Sequence, residues 1–82
     1  MASKIIHIQY FAALREQRGL SSEDFQTNAS NAQELFEELK LKFHFKIPSN
    51  LLKIAINNEF SNWSNSIKSG DSIVFIPPVA GG

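Results

Sequence analysis

The 82-residue chain contains no cysteine, which excludes a disulfide framework, a thiolate metal site and a cysteine nucleophile together. A reducing cytoplasm is the simplest compartment to expect. Excess charge of one sign is also missing, since eight Lys+Arg stand against eight Asp+Glu. Without a net positive field, binding of nucleic acid or another polyanion is disfavoured. No apolar run approaches the roughly 20 residues of a membrane span. Met1-Ala2-Ser3-Lys4 leads straight into Ile5-Ile6-His7-Ile8, too short and interrupted for a signal peptide, so no membrane association is expected. The four glycines, Gly19, Gly70, Gly81 and Gly82, match no phosphate-binding loop. His7 and His44 stand at spacings unlike a metal-ligand cluster. Glu37 and Glu38, adjacent on a helix, point about 100° apart and cannot share an acid–base site. Neither a metal centre nor a bound cofactor is expected.

What is present suits one small domain, with 43% hydrophobic and 11% aromatic residues and too little chain for a second core. Lys4 to Phe11 alternates Ile6, Ile8 and Tyr10 with Ile5, His7, Gln9 and Phe11, the period of a half-buried strand. Arg15 to Ser22, with Gly19 and two serines, reads as a turn, and Glu23 to Asn28 as a strand pairing back. Ser30 precedes Gln33 at capping-box spacing. The helix that follows carries Ala32, Leu35, Phe36, Leu39 and Phe43 on one stripe, and Pro48 stops any continuation. Leu51 to Ile56 is a third strand, Asn57-Asn58 a tight turn and Glu59-Phe60 a short return strand. Lys68 to Asp71 forms another turn before Ser72 to Ile76, whose apolar run predicts the central strand. The order ββαβββ or ββαββ predicts an α+β fold of the β-grasp type, a mixed sheet packed against one main helix. Residues 1–78 form the domain and 79–82 a flexible tail.

The chemistry concentrates at the end, in Phe75-Ile76-Pro77-Pro78-Val79-Ala80-Gly81-Gly82. Consecutive prolines favour a stiff polyproline II stalk. The four residues beyond Pro78 reach up to roughly 13 Å when extended. Gly81 and Gly82 remove every side chain at the tip, so a terminal carboxylate could thread a channel too narrow for any Cβ. That carboxylate is ionised at neutral pH and a poor electrophile, so its use requires activation, most simply as an acyl-adenylate made by an ATP-dependent partner. The expected role is a carrier, not an enzyme by itself. Apolar Phe11 on an otherwise polar strand face, with Phe60 and Ile76, marks the expected docking surface.

These residues resemble the small subunits of molybdopterin synthase, ubiquitin-like sulfur carriers, over nearly the whole chain. Tyr10-Phe11-Ala12-Ala13-Leu14-Arg15-Glu16 is similar to the family's aromatic-Phe-Ala-x-x-Arg-Glu signature, and Ile54-Ala55-Ile56-Asn57 to its aliphatic-Ala-aliphatic-Asn strand end. Lys68-Ser69-Gly70-Asp71 and the Pro-Pro-to-Gly-Gly terminus complete the match. The resemblance implies that Gly82, preceded by Gly81, is adenylated by an enzyme like those that activate ubiquitin, using ATP, and becomes a thiocarboxylate through a sulfur donor system. It further implies that the loaded tail enters the large synthase subunit, in a heterotetramer of two small and two large subunits. There it donates sulfur to cyclic pyranopterin monophosphate to form the molybdopterin dithiolene. The matching partner-binding positions are Phe11, Phe60, Ile76, Pro77, Pro78, Val79 and Ala80. Tyr10 where Phe is common, Ala80 where a hydroxyl residue is frequent, and the longer Phe43-His44-Phe45 stretch are the departures.

A thiamine-pathway sulfur carrier also ends in Gly-Gly but matches less well at the Phe-Ala-x-x-Arg-Glu and Pro-Pro positions. A protein-modifying tag and a β-grasp interaction domain with an inert tail are the other readings. Arg15 and Glu16 fit either closure of the first turn or a rim contact with a partner.

Overall fold

Alternation of isoleucine with polar residues makes β1 (Lys4–Tyr10) a strand with two unlike faces, and in the computed structural model Ile6, Ile8 and Tyr10 are buried while Ile5, His7 and Gln9 are exposed. The structure describes residues 3–77. Pro78 and the expected tail, Val79, Ala80, Gly81 and Gly82, lie outside the described residues, as does the expected boundary after residue 78.

After β1 the chain departs from the sequence expectation. The stretch read as a turn is largely a helix, α1 (Ala12–Arg18), and Phe11 caps its start instead of ending the strand. Ala, Leu, Arg, Glu and Gln are all strong helix formers. Gly19 supplies the stop, at φ 87, with its amide donating to the Arg15 carbonyl. The glycine and serines that signalled a turn thus mark only the helix end. Leu14 is the one buried residue of this short element.

β2 (Ser22–Thr27) pairs antiparallel with β1. The main helix, α2 (Ala32–Phe43), begins one residue later than the Ser30–Gln33 spacing predicts. Asn31 is the cap: its side chain accepts from the Glu34 amide at 2.9 Å, and the Glu34 carboxylate accepts from the Ser30 amide at 2.8 Å. Glu34 thus reaches back past the cap to the residue before it, so the pair does not close the reciprocal box expected of Ser30 and Gln33. Asn and Ser are equally good caps, and Asn31 takes the role because the helix docks one residue later. α2 ends before Pro48, at His44, whose φ of 60 is left-handed.

A 3₁₀ turn over Ser49–Leu51 takes the start of the expected third strand, leaving β3 (Lys53–Ile56). Asn57 and Asn58, at φ 53 and 72, form the tight turn into β4 (Glu59–Ser61). Asn accepts this left-handed conformation at low cost. β5 (Ser72–Ile76) lies in the middle of the sheet order β2-β1-β5-β3-β4, parallel to β1 and antiparallel to β3. A parallel central pair joined through a helix is the β-grasp arrangement. The order therefore gains one short helix over ββαβββ and keeps its class.

α2 closes one sheet face. Leu35, Phe36 and Leu39 join Ile6, Ile8, Tyr10, Ile54, Ile73 and Phe75 in a single core. Phe36 centres an aromatic set, with ring centroids 5.3 Å from Phe75, 5.7 Å from Trp63 and 6.1 Å from Phe45. These tilted and offset contacts add to the burial of the rings.

Candidate functional site

The register of β5 decides where the last described residues, Ile76 and Pro77, stand. Tyr10 sits opposite Phe75 on the parallel pair, so Phe11 follows β1 where Ile76 and Pro77 end β5. Lys53, the first residue of β3, pairs with Ile76, and Ser61, the last of β4, pairs with Ile54. One end of the sheet thus gathers Phe11, Ile76, Lys53 and the end of β4 around the root of the tail. Pro77, the last of the described residues, is buried.

The sheet face away from α2 carries a row running Phe60, Ala55, Val74 and Gln9 across four strands. Phe60 is 77% exposed, Phe11 is 41% exposed, and Val74 and Ile76 are half-buried. Phe11 keeps extended angles, φ −128 and ψ 153, and so preserves the outward parity of Gln9 despite capping α1. Phe60 lies two strands from β5, roughly 10 Å at normal strand spacing. The three residues expected at a docking surface therefore share one uncovered face near the tail root.

Tyr10, Arg18 and Glu23 form a polar cluster that the sequence pattern did not reveal. The Tyr10 hydroxyl donates to Glu23 at 2.7 Å, and Arg18 grips the same carboxylate through Nε and Nη2, each at 2.7 Å. The Arg18 guanidinium also lies 4.0 Å from the centre of the Phe43 ring. Burial, reinforced by the bond to Glu23, pushes the Tyr10 phenol well above its ordinary range. The Arg18 bond holds the Glu23 carboxyl below the usual carboxylate range. The cluster ties α1, and with it Phe11, to β1 and β2. Its signal was available: alternation turns Glu23 inward with Phe25 and Thr27, and a buried tyrosine hydroxyl needs a partner.

At the other end of the sheet, Asn57 Nδ2 donates to Asp71 at 3.0 Å while the Ser72 amide donates to Asn57 Oδ1 at 2.9 Å. The Lys68 amide donates to Asp71 at 2.8 Å. Asn57 and Asp71, both in motifs carrying the family resemblance, thus act as braces for β5. Arg15 and Glu16 project into solvent from α1, and only the Arg15 backbone takes part in closing the helix. His7 pairs with exposed Asp24 at 3.0 Å, and His44 caps α2. No group of three or more His, Cys, Asp or Glu side chains among the described residues is arranged to hold a metal ion. No helix among them is long and apolar enough to cross a membrane.

A five-stranded mixed sheet with one covering helix defines a ubiquitin-like β-grasp protein. The ThiS family pattern matches residues 8–82, and the chain belongs to that family. The molybdopterin synthase sulfur carrier subunit of Haemophilus influenzae is 28% identical over 81 residues, covering 95% of this chain and 100% of that protein. A solved Pyrococcus furiosus protein described as molybdopterin converting factor subunit 1 is 26% identical with a TM-score of 0.74, covering 93% of this chain and 99% of its own. A chain in the Helicobacter pylori complex of subunits 1 and 2 of molybdopterin-converting factor is 29% identical with a TM-score of 0.64, over 95% of this chain and 99% of that one. The resemblance carried by Tyr10 to Glu16 and by the terminal motif is borne out.

Proposed function

We propose that this protein is the sulfur carrier of a molybdopterin synthase, not catalytic alone, acting in the cytoplasm through the carboxylate of Gly82. The observation that carries the reading is the uncovered apolar face, Phe11, Phe60 and Ile76, set at the root of a tail ending in Gly81-Gly82. Membership of the ThiS family and the similarity to a subunit solved in complex with its companion support it.

In the proposed cycle, an adenylating enzyme binds the carrier and the Gly82 carboxylate attacks the α-phosphorus of ATP, releasing pyrophosphate. A sulfide equivalent from the sulfur donor system then displaces AMP from the acyl-adenylate, leaving a thiocarboxylate. The loaded carrier docks on the large subunit, and the stalk delivers the tail into its active site. Sulfur passes to cyclic pyranopterin monophosphate, and water returns the terminus to a carboxylate. Two loaded carriers supply the two sulfurs of the dithiolene, consistent with two small and two large subunits. The domain contributes docking and aim, while the glycine tip lets the reacting carbonyl approach closely.

The test is intact mass. Incubation with the adenylating enzyme, ATP and the sulfur donor should raise the mass of the chain by the difference between sulfur and oxygen, and the product should form molybdopterin with the large subunit. A chain extended past Gly82 should keep its fold and form none. Molybdopterin formation by the extended chain would overturn the carrier reading, and stable conjugates to other proteins would favour a modifier.

A further inference from the structure

The two ends of α1 are built unlike. With seven residues and Leu14 as its one buried side chain, the helix is too short to persist in water by propensity alone. Its start is weak: Phe11 offers no side-chain cap, and the first turn holds no acidic residue. Ala12, the first helical residue, also sits at φ 51. Among the described residues the other non-glycine positions at positive φ are His44, Asn57 and Asn58, residue types that tolerate it. Alanine has no polar side chain to bond locally and its Cβ crowds the backbone there, so Ala12 is strained.

The end is strong. Arg18 holds Glu23 through two bonds of 2.7 Å while Tyr10 bonds the same carboxylate, and the Arg18 and Glu23 side chains are only 23% and 16% exposed. Such a sheltered, forked pair is among the stronger polar contacts a protein makes. Arg18 also rests on the Phe43 ring at 4.0 Å, and Gln17 Oε1 accepts from the Lys46 amide at 3.0 Å. A strained backbone persists only where its surroundings over-determine it. Here the contacts that do so stand at the far end of the helix from Ala12.

We propose that α1 is a sprung strap: the grip of Arg18 on Glu23 holds Ala12 in its strained conformation, and when the grip lets go the segment from Phe11 to Gly19 opens as one unit, releasing Phe11 from the open sheet face while the sheet and α2 stay folded. Strain stored at one end and a latch at the other make the element two-state, because losing the latch removes the reason for the strain to persist. The inference does not rest on the carrier function, and its test needs no partner protein.

The experiment is native-state hydrogen exchange on the full chain, followed amide by amide at increasing denaturant, beside cleavage by chymotrypsin at the Phe11–Ala12 bond. The Leu14, Arg15 and Gly19 amides, bonded to the Phe11 and Arg15 carbonyls, should exchange at least about tenfold faster than those of β5, with a weaker denaturant dependence, as a small local opening requires. Glu23→Gln keeps the shape of the side chain and removes the charge that Arg18 holds. It should speed exchange at the α1 amides and cleavage after Phe11 together, each by about tenfold. Ala12→Gly relieves the strain and should slow exchange at the same amides by about fivefold. Exchange of the α1 amides in step with β5 at every denaturant concentration would overturn the strap, as would unmoved exchange or cleavage in Glu23→Gln. Unchanged or faster exchange in Ala12→Gly would overturn it too, by showing that Ala12 stores no strain. Should Glu23→Gln fail to fold, Ala12→Gly and the denaturant dependence of the unmodified protein still decide the matter.

Discussion

The two faces of the sheet are built from the same alternating strands and meet opposite fates. Toward α2, Ile8, Ile73 and Phe75 are fully buried and Ile6, Tyr10 and Ile54 nearly so. Away from α2, Ile5 is 56% exposed, Phe60 is 77% exposed, and Val74 and Ile76 are half-covered. Apolar character alone therefore does not separate core from contact surface here. The separation comes from which parity the single long helix covers, and the apolar residues left on the other parity are free to bury themselves against a partner.

The largest expected effect tests the closed face. Phe36→Ala removes a fully buried ring at the centre of the aromatic set and should cost about 3–5 kcal/mol of folding stability, read by chemical denaturation. A loss below about 1 kcal/mol would mean that Phe45 and Trp63 collapse into the space, a softer core than its packing implies. Phe60→Ala tests the open face and should invert the pattern. It should weaken large-subunit binding by about 2 kcal/mol and change stability by less than about 0.5 kcal/mol. If denaturation ranked Phe60 with Phe36, the contrast between the faces would fail.

A smaller effect should appear in acid. The Glu23 carboxyl is held below its ordinary value by Arg18, so the stability it contributes is present above the unfolded-state value, about 4.3, and is lost as pH falls through the folded-state value. Glu23→Gln should flatten the acid limb of the stability profile measured by thermal melts across pH. An unchanged acid limb would assign the acid sensitivity to another group. Smallest of all should be Asp24→Asn, which breaks the pair with His7 between side chains 75% and 47% exposed. Such pairs contribute little, and the stability read from the midpoint of denaturation should change by under about 0.5 kcal/mol.

Much of this arrangement was legible in the residues. Ile6, Ile8 and Tyr10 announced the inward parity of β1, the stripe through Leu35, Phe36 and Leu39 announced α2, and Asn57-Asn58 announced the β3–β4 turn. α1 was not read, because seven residues with one buried leucine carry too little periodicity to stand against an adjacent glycine and two serines. The α2 cap was placed one residue early, since Ser30 and Asn31 both offer side-chain acceptors and the true register depends on where the helix docks. Among the candidate site residues, Phe11, Phe60 and Ile76 were legible as apolar residues on outward parities. The inward turn of Glu23 toward Tyr10 could be read from alternation, but the part of Arg18 could not, because it reaches Glu23 only once α1 folds back against β2.

The sequence by itself determined the outward and inward parities and the single covering helix, because each follows from local periodicity. Only the tertiary structure decided the register of β5 against β1 and β3, which sets Phe11 and Lys53 on either side of Ile76. It also decided that Trp63 stands on Phe75. Those placements join residues distant in the chain, and they are settled by the register in which buried side chains interlock, which no local pattern encodes.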